Sequence, residues 1–578
     1  MCGIIGVYSK KKVRKSILAK MLKKIQHRGP DYQDFWYKDN VGLGHCLLKI
    51  QDLSNRSNQP MNFKDLILVY NGEIYNYQEL RKILIKNGYT FKSSGDTEVV
   101  LKSFHFWGID CINKFNGFFS IALYNKKTKE LYLIRDRYGI KPLYYSISSD
   151  GAVVFGSEIK AVLAYPGIKP KINLNTIKLA LMVKLWIPSN KTYFKNIWGI
   201  PPGNYIKVNE SGIQVSEYLD NLDYNNKLTN LNQILRKLDK FLKQSVKYRM
   251  KSKVKLTSFL SGGIDSALIT KLANEERKNL STFTIFYQKD NDLDLNHAKI
   301  LSIKEGLKNH EILIKPEHYN LENIDKIIYH MEEILVDKVY LPLFFLYKQA
   351  KLDGFRVVLS GQGADEPWLG YLFSHDLFRQ IGEKSSISYL KDRFYPSQIV
   401  FGNKIKKSFN KDYPSDKIIE DYLNQYMPKK EDTLNNYSIL SINTILQNLL
   451  LQEDKLSMAN SIEARVPFLD HNIIELSKKI PSYIKIFDSR EKYLIRRLAE
   501  GKLPEEIISR KKYPFPEPPN SYDYKIKKLC ETNWKEIKKS KLLNQILKKD
   551  KLKDLLNFSS LELWWILVLW RFEKIFLK

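Results

Sequence analysis

The stretch Phe259-Leu260-Ser261-Gly262-Gly263-Ile264-Asp265-Ser266 decides how the rest of the chain is read. Leu256 to Leu260 reads as the end of a strand. Ala267 to Ala273 reads as the first two turns of a helix, so Ser261–Ser266 is the loop joining them. Adjacent glycines let the backbone turn tightly and approach a ligand closely. A turn beside a helix N-terminus leaves N–H groups free for an anion. Ser261 and Ser266 add hydroxyl donors, while Asp265 adds a carboxylate that repels phosphate unless a cation stands between them. The loop therefore describes a site for phosphate with a divalent metal. A plain glycine turn is the alternative for Ser-Gly-Gly alone, and the Lys of the G-x-x-x-x-G-K-[ST] phosphate loop is missing.

Downstream, Thr282-Phe283-Thr284-Ile285 and Val357-Val358-Leu359 read as further buried strands separated by helical segments. That alternation implies a parallel sheet whose ligands sit at the carboxyl ends of its strands. Val357–Leu359 opens into Ser360-Gly361-Gln362-Gly363-Ala364-Asp365-Glu366, which repeats the logic of the first loop. The alternative is an acidic pair at a helix N-terminus. Upstream, Ile234, Leu235, Leu238, Phe241, Leu242 and Val246 recur at helical spacing. The Asn-rich stretch from Asn221 to Asn232 suits an exposed interdomain connection. The C-terminal residues read as largely helical, with the Trp-rich segment 564–570 as core.

A chain of 578 residues exceeds one core and suggests two or three domains. Apolar content of 43% with 12% aromatics fits a soluble globular protein. No run of about 18 uncharged apolar residues suggests a membrane span, and the N-terminus lacks the pattern of a signal peptide. Cys2, Cys46, Cys111 and Cys530 show no paired spacing, which argues against a disulfide scaffold or zinc site and points to a reducing cytoplasm. The net charge of +31 invites a nucleic-acid reading. The lysines are spread along the whole chain, however, and no aromatic-basic recognition motif accompanies them. A solvated basic surface is the expectation, with no nucleic-acid or membrane partner.

Cys2 follows Met1 directly. Once Met1 is removed, the α-amino group of Cys2, with a reference pKa near 8, can activate its own thiol without a His. Three downstream strings support that reading: His27-Arg28-Gly29-Pro30-Asp31, Asn71-Gly72-Glu73-Ile74-Tyr75-Asn76 and Gly95-Asp96-Thr97-Glu98.

Ser261–Ser266 resembles the pyrophosphate loop of the ATP-pyrophosphatase superfamily, whose members cleave ATP to AMP and pyrophosphate and so adenylate a substrate. Within it the chain is most similar to glutamine-dependent asparagine synthetases. The strings that carry the resemblance are Asp454-Lys455-Leu456-Ser457-Met458-Ala459, Ile462 to Asp470, Lys492-Tyr493-Leu494-Ile495-Arg496-Arg497 and Arg510-Lys511-Lys512. The first 210 residues look like the glutaminase domain of class II amidotransferases, through Cys2-Gly3-Ile4, Arg135 to Leu143 and Phe155 to Ala161. The resemblance implies an N-terminal-nucleophile αββα sandwich over 1–210, a linker over 211–232, and a parallel-sheet ATP-pyrophosphatase domain with a helical C-terminal part over 233–578.

It also implies residue roles. Cys2 attacks the glutamine carboxamide, and the Asn71 side chain with the Gly72 N–H forms an oxyanion hole. Asp96 holds the substrate ammonium, with Glu73 beside it. Leu260, Ser261, Gly262, Gly263, Asp265, Ser266, Ile285, Ser360 and Gly361 meet ATP. Asp265 and Asp365 share Mg2+, and Lys492 offsets charge on the phosphates. The expected activity is a glutamine-hydrolysing carbon–nitrogen ligase making asparagine from aspartate, and the family admits a homodimer. At Leu47 the family pattern has an Arg that pairs with the glutamine α-carboxylate, and Lys49 is the expected substitute if both lie on one strand face. Gln362 and Leu295 stand where the family often has Glu near the acceptor pocket, so a uronic acid or another carboxylate is the alternative acceptor, with ammonia as an alternative nitrogen donor.

Overall fold

The computed structural model describes residues 2–183, 187, 189–219, 227–288, 292–371, 433–487, 490–512, 515, 517–548, 550–553 and 558–577. Strand Gly3–Tyr8 is buried at every position because both of its faces are covered. Side chains alternate along a strand. Ile4 and Tyr8 join Leu43, Val69, Ala122 and Leu133 in a core between two sheets, while Ile5 and Val7 pack on Leu18, Met21, Leu22 and Ile25 of helix Lys15–Ile25.

One six-stranded sheet has the order Ile197–Gly199, Tyr144–Ile147, Val153–Gly156, Gly3–Tyr8, Val41–Leu47, Tyr32–Lys38. The other has the order Gly212–Glu217, Asn204–Asn209, Glu130–Arg135, Gly117–Asn125, Leu66–Ile74, Met61–Phe63. Helices Tyr77–Lys86 and Thr97–Trp107 cover its outer face through Leu80, Leu84, Val99 and Phe104. The result is an αββα sandwich. Gly212–Glu217 pairs along its length with Asn204–Asn209, so this body continues past residue 210, where the sequence reading places its end. Residues 220–226 of the expected linker lie outside the described residues.

Helix Leu231–Met250 opens the second body, capped by the Asn230 side chain, which accepts from Gln233 N at 3.0 Å. A five-stranded parallel sheet follows, in the order Lys308–Leu313, Ser281–Phe286, Leu256–Phe259, Val357–Leu359, Glu463–Arg465. From Leu256–Phe259 the chain adds two strands on one side and then crosses to Val357–Leu359 on the other. The crevice at such a reversal, beyond the strands' carboxyl ends, is where open parallel sheets take ligands. Both glycine-rich loops emerge there. At the C-terminus, helix Ser560–Phe576 buries Trp564 and Trp565, whose indole N–H groups donate to Leu335 O and Val336 O at 2.9 and 2.8 Å. Among the described residues no helix is long and apolar enough to cross a membrane, and all four cysteines are free thiols.

The two bodies meet through buried charges. Arg28 donates to Glu158 at 3.0 Å and to Asp454 at 2.8 Å, and Lys141 reaches the other Asp454 oxygen at 3.1 Å. These side chains are at most 1% exposed. Lys160 and Lys455 converge on Glu332 from opposite bodies, at 3.4 and 2.9 Å. Asn116 and Arg249 share Asp470 Oδ2, at 3.1 and 3.2 Å. A buried charge stripped of its partner costs several kcal/mol, so each of these contacts fixes the placement of one body on the other.

Asp454→Asn keeps the shape and removes the charge that neutralises Arg28 and Lys141. We expect it to destabilise the protein by about 3–5 kcal/mol, read as a lowered midpoint of chemical denaturation. Lys129→Ala breaks a pair with Glu210 whose side chains are 65% and 72% exposed, and should cost less than about 1 kcal/mol. Equal effects of the two substitutions would contradict the role given to the buried contacts.

Candidate active sites

The larger site is a cavity of about 260 Å3 at the crevice of the parallel sheet. Leu260 N donates to Phe283 O at 3.0 Å, which carries the strand pairing up to the edge of the loop. Gly262 has φ +68°, and a Cβ there would lie 2.7 Å from that of His297. Only glycine serves at this turn. Ser266 Oγ accepts from Ser261 N at 3.1 Å and lies 3.0 Å from Ser261 Oγ, so the serines tie the loop closed around the start of helix Ile264–Glu276. Gly361 of the second loop approaches that same turn, since a Cβ on it would stand 2.8 Å from Ser266 N. Ser360 N is held by Arg465 O at 2.9 Å. Leu260, Ser261, Gly263, Asp265, Ser266 and Ile285 line the cavity, as do Ser360, Gly361 and Asp365. Gly262 braces the turn from behind.

The charged centre lies between the loops. Lys492 Nζ bonds Asp265 and reaches Asp365 Oδ1 at 2.8 Å, while Lys512 Nζ bonds the same Asp365 oxygen. Burial would raise the Asp365 carboxyl, but the two ammonium groups outweigh it and hold the group down to about 2. Burial disfavours charge on both lysines. For Lys492 the two aspartates win and its pKa is raised, whereas Lys512 ends below its ordinary value. Lys492 also adopts a left-handed backbone, φ 53°, which costs a residue with a Cβ about 1–2 kcal/mol. Backbone strain of this kind collects at functional positions.

The residues present fit a divalent cation. Two carboxylates converge on Lys492, and Asp265 Oδ1 is buried without a hydrogen-bond partner among the described residues. Magnesium is commonly held by one or two carboxylates plus phosphate oxygens. The sequence reading gave Lys512 no role, although it stands in the quoted string Arg510-Lys511-Lys512. Its neighbour Arg510 pairs with Asp294 on the cavity wall. Gln362 lines the cavity as expected. Leu295 is fully buried and forms no part of the lining, so it does not bear on the acceptor.

The second site is a narrow cleft in the sandwich. Cys2 N donates to Asn71 Oδ1 at 2.9 Å, and Arg28 Nε donates to Cys2 O at 3.0 Å. Burial pushes the thiol up to about 11, against the pull of the chain's N-terminal ammonium and a Leu48 backbone N–H. A thiol held that high needs a base beside it. Asn71 Nδ2 makes only a long 3.4 Å bond to Ser120 Oγ. Gly72, Glu73 and Asp96 line the same cleft. Asp96 accepts from Tyr70 Oη at 2.9 Å and Ile74 N at 2.8 Å, and burial nevertheless raises it to about 6. Burial, with Glu463 and Asp96 nearby, raises Glu73 well above its ordinary value, against Arg465 at 3.8 Å.

Lys49 corrects one expectation. The strand ends at Leu47, so the shared-face argument does not extend to Lys49. Its ammonium is bound by Asn55 Oδ1 at 2.8 Å and Leu53 O at 3.2 Å, which fastens it to its own loop.

Residues 1–219 match the model for a glutamine amidotransferase domain and residues 237–575 that for asparagine synthase. The chain is 31% identical to asparagine synthetase [glutamine-hydrolyzing] 1 of Bacillus subtilis, over 90% of this chain and 87% of that one. It is also 27% identical to amidase chyE of Penicillium rubens, over 85% and 83%. Among solved structures, glutamine phosphoribosylpyrophosphate amidotransferase from B. subtilis is similar at a TM-score of 0.29 and 13% identity, over 62% of this chain and 82% of that one. With both sites and both family models on one chain, the protein belongs to the glutamine-hydrolysing asparagine synthetase family and is a glutamine-dependent carbon–nitrogen ligase.

Proposed function

We propose that the enzyme converts aspartate to asparagine through an acyl-adenylate, with nitrogen drawn from glutamine. The observation that supports this most is the convergence of Asp265, Asp365, Lys492 and Lys512 between two glycine-rich loops at the sheet's switch point. Cys2 Sγ attacks the glutamine carboxamide carbon while its proton passes to the Cys2 α-amino group. The oxyanion is met by the Gly72 N–H and by Asn71 Nδ2, which gives up its long bond to Ser120. Ammonia leaves with a proton from the α-ammonium, and water then releases glutamate from the thioester. Asp96 holds the ammonium of the bound glutamine.

In the synthetase domain the acceptor carboxylate attacks the α-phosphorus of ATP. Pyrophosphate departs onto the N–H groups and hydroxyls of Ser261–Ser266, beside Lys492 and Lys512. Mg2+, when held by Asp265 and Asp365, would neutralise phosphate charge there. Leu260, Ile285, Ser360 and Gly361 hold the nucleotide so that ammonia, arriving from the glutaminase domain, displaces AMP from the acyl carbon. A different carboxylate acceptor is the second reading. It is favoured by Gln362, a neutral amide on the cavity wall. Free thiols suit a reducing cytoplasm.

Three outcomes test this account. Cys2→Ala should abolish amide formation from glutamine and leave formation from ammonia intact. Retention of normal glutamine-dependent turnover would remove Cys2 from the mechanism. Asp265→Asn should cut AMP release at least about 100-fold, as loss of a charge-stabilising group in a phosphoryl site does, while glutamine hydrolysis persists. AMP release by wild type across a panel of carboxylates decides the acceptor, with aspartate expected to support it best.

A fourth outcome follows from Asp96. Its ionised form is needed to hold an ammonium, and the carboxyl titrates at about 6. Below that pH the site loses its negative charge, so kcat/KM for glutamine should fall more steeply with acidification. Glutaramate, which is glutamine without its α-amino group, should show no such steepening. A break at pH 6 in both profiles would mean that another group is responsible.

A further inference from the structure

Glutamine reaches its cleft as a zwitterion, and the carboxylate and ammonium side chains lining that cleft are Asp52, Glu73, Asp96 and Lys49. Asp52 is committed to Ser54 N, Ser57 Oγ and Ser94 N at 2.8–2.9 Å. Glu73 faces Arg465. Lys49 is fastened to its own loop by two acceptors. The glutamine ammonium and carboxylate share one carbon, so the cation that receives the carboxylate must stand close to Asp96. Apart from Lys49, the residues lining the cleft include no cation.

The other domain offers one. The segment that follows helix Leu231–Met250 lies against the cleft wall, where Lys253 N donates to Ile50 O at 3.1 Å and Gln51 Nε2 donates to Lys251 O at 3.3 Å. Ile50 and Gln51 both line the cleft. Lys253 Nζ reaches Ser94 Oγ at 3.4 Å, two residues before Asp96. That bond is long and goes to a hydroxyl, and this exposed ammonium has no carboxylate within ion-pair distance among the described residues. The charge is left without an ion-pair partner among the described residues, beside the wall of a cleft that holds three carboxylates. Arg465 fixes the segment behind it by donating to Arg249 O and Lys251 O at 2.6 and 2.7 Å.

We propose that Lys253, supplied by the synthetase domain, receives the α-carboxylate of glutamine at the wall of the glutaminase cleft. The proposal rests on the reading of that cleft as a glutaminase site. The Lys253 ammonium swings from Ser94 Oγ onto the carboxylate while Asp96 takes the ammonium of the same molecule. Glutamine is then recognised only when the two domains are docked, because the last of its contacts belongs to the domain that consumes the ammonia.

The test compares Lys253→Met, Lys253→Arg and Lys49→Met in the full-length protein, with glutamine and with 4-aminobutanamide, which is glutamine without its α-carboxylate. We expect Lys253→Met to raise the glutamine KM about 5- to 30-fold, the range of a partly exposed ion pair, with kcat within about twofold. Lys253→Arg should restore most of the loss. Hydrolysis of 4-aminobutanamide and ammonia-dependent amide formation should be unchanged in every variant. An unchanged glutamine KM in Lys253→Met, or an equal loss for 4-aminobutanamide, would overturn the proposal, as would a KM effect confined to Lys49→Met. A wild-type protein that does not hydrolyse glutamine would overturn the glutaminase reading itself, which separates the two failures.

Discussion

The structure depends on a single carboxylate, Asp454, held between Arg28 and Lys141. Both cations belong to the sandwich, and Asp454 belongs to helix Ile445–Ala459 of the synthetase body. None of the three is exposed to water. Charges in such a place are tolerated only when matched, so the domains have one relative placement in which this interface is affordable in energy. Arg28 also holds the Cys2 carbonyl. The contact that docks the domains therefore positions Cys2 as well.

Arg465 makes the same connection on a second line. Its side chain lies 3.8 Å from Glu73 in the glutamine cleft and holds the carbonyls of Arg249 and Lys251. Its own carbonyl accepts from Ser360 N, at the head of the second glycine-rich loop. One residue thus touches the wall of one site and the backbone of the other.

Much of this architecture was legible from sequence because its determinants are local. Leu256–Phe259 and Val357–Leu359 lead into glycine turns, Ser281–Phe286 is mostly β-branched and aromatic residues, and all three form the strands read from them. Helix Leu231–Met250 buries Ile234, Leu238, Leu242 and Val246 at the spacing that announced it. Two strands of the same sheet gave no such signal. Lys308–Leu313 is polar because it lies at the sheet edge, and Glu463–Arg465 is charged because Arg465 pairs with Glu463 of the same strand and faces Glu73 across the interface. The partners of Lys49, Lys253 and Lys512 were equally hidden. A lysine's sequence neighbours do not reveal whether its ammonium meets a loop carbonyl, a hydroxyl or a buried aspartate.

If the buried interface couples the two chemistries, ammonia made at Cys2 reaches the acyl-adenylate without mixing with solvent. The direct measurement is the isotopic content of the amide formed from amide-15N glutamine in the presence of a large excess of unlabelled ammonium, using the carboxylate that supports AMP release. The account predicts product carrying nearly undiluted 15N from glutamine. Label diluted in proportion to the ammonium in solution would show that the two sites exchange nitrogen through bulk water and would contradict it.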